Sequence, residues 1–117
     1  MPIRLIIVAS ALTLALAGAG AAAAGQAAAR TTTVHVTAKD FSFALSTKTV
    51  GHGRIVFSIR NAGRSDHDFE IHGHTSKTIG PGKSTALTVT LAPGRYPYKC
   101  AVDSHAELGM KGVLRVT

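Results

Sequence analysis

The segment from Cys100 to Met110 reads Cys100-Ala-Val-Asp-Ser-His105-Ala-Glu-Leu-Gly-Met110. It holds the only cysteine of the chain, a histidine, and the only methionine besides the initiator. Four residues separate Cys100 from His105, and four separate His105 from Met110. A thiolate, an imidazole and a thioether are soft donors, and together they select copper over zinc or magnesium. Met110 in particular is a poor zinc ligand. A trigonal pair of imidazoles and a thiolate with a weak axial thioether is the blue-copper pattern. A second imidazole is therefore needed. His67, in Ser65-Asp66-His67-Asp68-Phe69, is the candidate. An isolated histidine of this kind is more often a surface or capping residue; the Cys/His/Met run is what makes it a ligand candidate.

The spacing requires particular elements. If Cys100 ends a strand, four residues make a turn that brings His105 back toward the sulfur. Four more let Met110 approach from another side before a last strand begins. His67 must then arrive by tertiary folding from the end of a different strand. A rigid scaffold of this kind keeps donor geometry nearly constant when a metal changes charge, which suits electron transfer.

The remainder of the chain reads as such a scaffold. Short runs with turn punctuation predict strands over 32–38, 41–45, 54–60, 67–71, 84–91, 96–100 and 112–117. Gly51-His52-Gly53, Gly80-Pro81-Gly82 and Ala92-Pro93-Gly94 are the turns, and 73–83 is loop-like. No segment after residue 30 sustains a helical period. The expectation is an all-β Greek-key sandwich of about seven to eight strands. Tyr96, Tyr98 and Cys100 should share one face by strand alternation. Tyr96, just after a tight turn, is placed to tie its hydroxyl back to the corner. Tyr98 reads as core packing.

The first residues stand apart. Arg4, an apolar run over 5–17 and an Ala-rich stretch predict a secretory signal peptide. Residues 1–24 are assigned to it, with several Ala-x-Ala cleavage frames between 24 and 29; the domain then spans 31–117. The apolar run is short for a spanning helix, which needs roughly 20 residues. The expected product is an exported monomer, periplasmic or extracellular, with no integral membrane span. A lone cysteine in an oxidising compartment makes no internal disulfide, and a bound metal would occupy it.

The chain has 117 residues and a formal net charge of +7. That favours an acidic protein partner or an anionic membrane face over neutral ones. Nucleic acid is not expected for an exported chain. The basic residues Lys39, Lys48, Arg54, Arg60, Lys77 and Lys83 look scattered, which argues against a dedicated basic stripe.

The chain resembles the cupredoxins, the plastocyanin/azurin family of blue copper proteins. The resemblance covers the whole segment after the leader. It rests on Asn61-Ala62-Gly63 before His67-Asp68-Phe69, on Tyr96-Pro97-Tyr98-Lys99-Cys100, and on His105-Ala106-Glu107-Leu108-Gly109-Met110-Lys111-Gly112. It implies His67, Cys100, His105 and Met110 as ligands of one copper ion cycling between Cu(I) and Cu(II). It implies electron shuttling between redox proteins, with His105 as the electron port and Ala106 and Leu108 in an apolar patch around it. Two features depart from the family pattern. Asp68 stands where many members carry an Asn that ties the ligand loops, and the Cys-to-His gap is longer than in plastocyanin.

Competing functions fit less well. A copper-delivery protein without redox cycling is the alternative, favoured by the His72-x-His74 pair and disfavoured by the scarcity of methionine. On an extended strand that pair would share a face and hold a second, looser ion, although a solvated loop is its ordinary role. His35 and His52 read as surface residues. Asp66, Asp68 and Glu70 alternate with His67, Phe69 and Ile71, which predicts a solvent face. A Cys-His nucleophile pair lacks an orienting cleft, copper oxidases need more domains, and a dinuclear copper centre needs a second cysteine. The chain is thus not expected to be an enzyme.

Overall fold

The computed structural model describes Pro2 and residues 30–117. The expected leader, Pro2 apart, lies outside the described residues. Nine strands follow in order: β1 (Thr31–Lys39), β2 (Ser42–Leu45), β3 (Thr49–Val50), β4 (Gly53–Asn61), β5 (Glu70–Ile71), β6 (His74–Thr75), β7 (Ser84–Leu91), β8 (Gly94–Lys99) and β9 (Lys111–Val116). They form a four-stranded sheet in the order β2-β1-β4-β7 and a five-stranded sheet in the order β3-β9-β8-β5-β6. Both are mixed, with β1 parallel to β4 and β3 parallel to β9. Among the described residues no helix is long and apolar enough to cross a membrane.

Alternation makes the sandwich. Val34, Val36 and Ala38 of β1 and Ile55, Phe57 and Ile59 of β4 point inward and are buried. All but Ala38 meet Leu114 and Val116 of β9, Tyr98 of β8, and Phe69 and Ile71, while Ala38 packs with Cys100 and Met110. Period-two patterning of this kind puts one face of each sheet against the other. Aromatic packing fastens the centre: the Phe69 ring lies 5.0 Å from Phe57, 5.4 Å from Phe43 and 5.4 Å from Tyr98. The Tyr96 hydroxyl donates to the Ala92 carbonyl at 2.7 Å, the expected corner.

The all-β sandwich matches the expectation, with two differences in detail. β3 and β6 are two residues each, too short to show periodicity. The expected strand over 67–71 is also shorter. Only Glu70–Ile71 pairs in the sheet, while His67 forms an isolated bridge with Ile79. The turn between β5 and β6 is His72-Gly73, both at positive φ (50° and 75°). His72 and His74 are therefore not neighbours on one extended face, and the His72 ring packs against Tyr96 with centroids 5.0 Å apart. His35 and His52 are exposed, as expected.

Candidate metal centre

One end of the sandwich gathers the residues singled out by their chemistry. Strand β8 delivers Cys100 at its exit, and its thiol is buried. The Cys100 N–H donates to the Met110 carbonyl at 3.0 Å, so the β8–β9 pairing continues across both sulfur residues and closes the loop between them. Inside the loop, successive turns form from His105 N–H to the Val102 carbonyl, Leu108 N–H to the His105 carbonyl, and Gly109 N–H to the Ala106 carbonyl, each at 3.1 Å. Gly109 exits this coil at φ 114°, a conformation that side chains do not tolerate. His105 is thereby folded back over Cys100, and Met110 is buried against Cys100 and Ala38.

His67 reaches the same spot from the other loop. Its backbone is pinned by reciprocal hydrogen bonds with Ile79, at 3.0 and 2.8 Å. Buried Asn61 organises the approach, donating to the Ser65 and Ile79 carbonyls and accepting from Gly63 N–H. The outcome is a compact donor set. His67 Nδ1 and His105 Nδ1 are 3.2 Å apart, and Cys100 Sγ lies 4.0 and 3.7 Å from them. All three atoms fall within 4.8 Å of one another, and all three residues are buried.

These spacings suit a common ion. Bonds of about 2.0–2.1 Å to nitrogen and about 2.3 Å to sulfur, spread at about 100–120°, put donor atoms about 3.1–3.8 Å apart. Only the wider sulfur edge exceeds that range, and slightly. Among the described residues no other group of three such donors comes together.

The surroundings hold the donors in their binding form. His67 Nε2–H donates to Asp40 Oδ1 at 2.6 Å, which leaves the lone pair on Nδ1, facing His105 and Cys100. Asp40 also accepts from the backbone N–H of Arg64 at 2.9 Å and of Ser65 at 3.2 Å. The Arg64 N–H, with smaller contributions from His67 and Ser65, holds the Asp40 carboxyl below the usual range, against the opposing effect of desolvation. Gly63 makes this possible, because a Cβ there would collide with the Asp40 carboxylate and crowd His67 Nε2. Phe41 packs its ring 4.7 Å from His105 and 6.2 Å from His67. Burial pushes the Cys100 thiol up; backbone N–H groups of Asp68 and Val102 pull it down, and the nearby Asp68 carboxylate pushes it up again. Cys100 would hold a metal as the thiolate, so binding there would release the thiol proton.

Sequence reasoning missed one partner and misplaced another. Asp40 lies between the expected strands over 32–38 and 41–45, and nothing in its sequence neighbourhood signals a contact with His67. Asp68 is not on a solvent face: it is 5% exposed, and its Oδ1 accepts from Ala101 N–H at 2.7 Å. It thus ties the two loops together, a role open to an Asn side chain as well. His105 is 8% exposed, and Leu108 on the same loop is 61% exposed.

Comparison with known proteins agrees with this architecture. The chain is similar to the auracyanin of Roseiflexus castenholzii, 24% identical over 74% of this chain and 97% of that one, with a TM-score of 0.65. It is similar to auracyanin A of Chloroflexus aurantiacus, a "blue" copper protein, at 19% identity over 75% and 100% of the chains and a TM-score of 0.64. A blue copper oxidase of Nitrosomonas europaea shares the fold at 17% identity and a TM-score of 0.62, over 74% of this chain and 39% of that one. None of the curated proteins matches the chain. The profile of the cupredoxin-like domain matches residues 5–116. Copper is the cofactor that this donor chemistry and this family share. With that span covered, the chain belongs to the cupredoxin-like family.

Proposed function

We propose that the chain is an exported electron carrier, not an enzyme, in which His67, Cys100, His105 and Met110 hold one copper ion. Residues 31–117 are the working domain, freed from a leader that ends between residues 24 and 29. The observation that carries this reading is the buried triangle of His67 Nδ1, His105 Nδ1 and Cys100 Sγ. When bound, copper supplies a one-electron Cu(I)/Cu(II) couple.

The protein's part is to hold the donors still. His67 is fixed by Asp40 on one side and by the Ile79 bridge on the other. Cys100 is fixed by the β8–β9 pairing, and His105 by the turns of its own loop. Donors locked in this way shift little on a change of charge, which keeps reorganisation small. Met110, buried beside Cys100, would supply a weak thioether donor that tunes the potential. His105, near the surface beside exposed Leu108, provides the port to a redox partner. The burial of Cys100 keeps the thiolate from oxidation by solvent species.

The test is the visible spectrum of the leader-free protein, titrated with Cu(II) and then reduced with ascorbate. An intense blue band that saturates at one copper per chain and bleaches reversibly is expected. Copper bound without that band would replace electron transfer by delivery.

A further inference from the structure

The register of β8 and β9 places four cations on one surface. Alternation turns Tyr96, Tyr98, Leu114 and Val116 inward, so Arg95, Pro97 and Lys99 of β8 and Lys111, Val113 and Arg115 of β9 face out. The pairing sets Arg95 directly opposite Arg115, Pro97 opposite Val113, and Lys99 opposite Lys111. Two like-charged pairs thus bracket one apolar pair, and all four cations are exposed. Lys48 lies at the edge, its carbonyl accepting from Arg115 N–H. The scattered appearance of the basic residues in sequence conceals this. A stripe does exist, built from two Arg/Lys-x3-Arg/Lys spacings that alternation brings onto one face.

Like charges directly opposite each other weaken a sheet. Among the described residues, none of the four cations makes an ion pair. On the neighbouring strand β5, the carboxylate residue Glu70 lies opposite Lys99. The outer face of the other sheet differs. There Arg54 and Arg60 of β4 lie opposite Thr90 and Ser84 of β7 and beside Thr31 and Thr37 of β1, with no cation across from either.

The surface also has a shape. A groove of about 540 Å³ lies on this face, lined among others by Glu70, His72, Pro97, Lys99, Lys111 and Val113. Val113 is 40% exposed. Lys99 immediately precedes Cys100, and Lys111 immediately follows Met110. An anion bound between Lys99 and Lys111 is one residue of backbone from Cys100 and from Met110.

We propose that the β8–β9 face is a docking surface for an acidic segment of a redox partner protein. Carboxylates of the partner meet the Lys99/Lys111 and Arg95/Arg115 pairs, and an apolar side chain packs on the exposed Pro97–Val113 pair between them. A concave groove holding its own carboxylate, Glu70, fits a polypeptide better than a flat anionic membrane. The redox nature of the partner rests on the electron-carrier reading; the surface and its acidic ligand do not.

The probe is a poly-glutamate peptide, added to the isotope-labelled leader-free protein with and without copper. Amide shifts confined to β8, β9 and β5, weakening toward an ionic strength of about 0.15 M, are expected. K99Q/K111Q should weaken binding at least about fivefold, and R95Q/R115Q comparably, whereas R54Q/R60Q, with the same change in net charge, should not. Relief of like-charge pairs should leave the thermal midpoint of the stripe variants unchanged or raised. Equal weakening by R54Q/R60Q, or shifts spread over both sheets, overturns the surface. So does tighter binding through the same residues to vesicles of phosphatidylcholine and phosphatidylglycerol, which would make the stripe a membrane contact. The blue band of the same samples separates the readings: localised peptide binding without a band removes the redox partner and keeps the surface.

Discussion

The two loops that meet at the metal centre are built by opposite means. The loop from Cys100 to Met110 is self-supporting, since its turns bond within it and its ends are bonded to each other. The loop around His67 supports almost nothing by itself. It is held by Asp40 from the end of β1, by Ile79 across the chain, by Asn61 at its root and by Asp68 reaching Ala101. One loop carries three of the proposed donors in a fixed local pattern; the other carries the fourth, whose orientation is set by distant residues. Donor identity can thus be encoded locally, while donor orientation depends on tertiary partners.

Substitutions on each side should separate these two kinds of support. The largest effect is expected in the self-supporting loop: Cys100→Ser should abolish the blue band while the sandwich melts cooperatively, because the thiolate is the donor that no neighbour replaces. A band that survives would overturn the site. On the other loop, Asp40→Asn keeps the shape but weakens the hold on His67 Nε2–H. Copper affinity, measured by competition with a chelator, should fall by about 10–100-fold, the usual cost of losing an outer partner of a ligating histidine. An unchanged affinity would show that the Ile79 bridge alone orients His67. Asp68→Ala removes the tie between the loops and should cost about 1 kcal/mol in denaturant unfolding, with Asp68→Asn restoring most of it. Equal losses for both would assign the effect to charge rather than to the bond to Ala101. The smallest effect belongs to alkaline pH. Burial raises the Tyr98 phenol above its ordinary value, so the folded state keeps a proton that the unfolded state loses. The Tyr98 contribution to stability should be constant below about pH 10 and decline as pH rises from there through the folded-state value. Tyr98→Phe should flatten that decline and leave the blue band in place.

The same division explains what could be read from the chain. Cys100, His105 and Met110 were legible because their spacing lies within one segment, and His67 because that segment demanded a second imidazole. The inward line of Tyr96, Tyr98 and Cys100 followed from alternation alone. Asp40 was not legible: its contact with His67 spans 27 residues and depends on where β1 ends. Asp68 was misread because alternation was extended over 67–71, whereas regular pairing begins only at Glu70. The cationic stripe needed the register of β8 against β9, although the spacing of Arg95 to Lys99 and of Lys111 to Arg115 already put each pair on one face. Strands as short as Thr49–Val50 exist only because a neighbour pairs with them.

That last pairing also bears on kinetics. Thr49 and Val50 lie beside Arg115 and Val116, and β1 lies parallel to β4. Such non-local closures place the domain among topologies that fold over milliseconds to seconds. Asp40 follows β1 of one sheet and Cys100 follows β8 of the other, so bringing both to His67 requires the two sheets to be in place. The ion should therefore enter a finished pocket rather than nucleate one, and the rate of metal uptake by a refolding chain becomes a clock for the final step of folding.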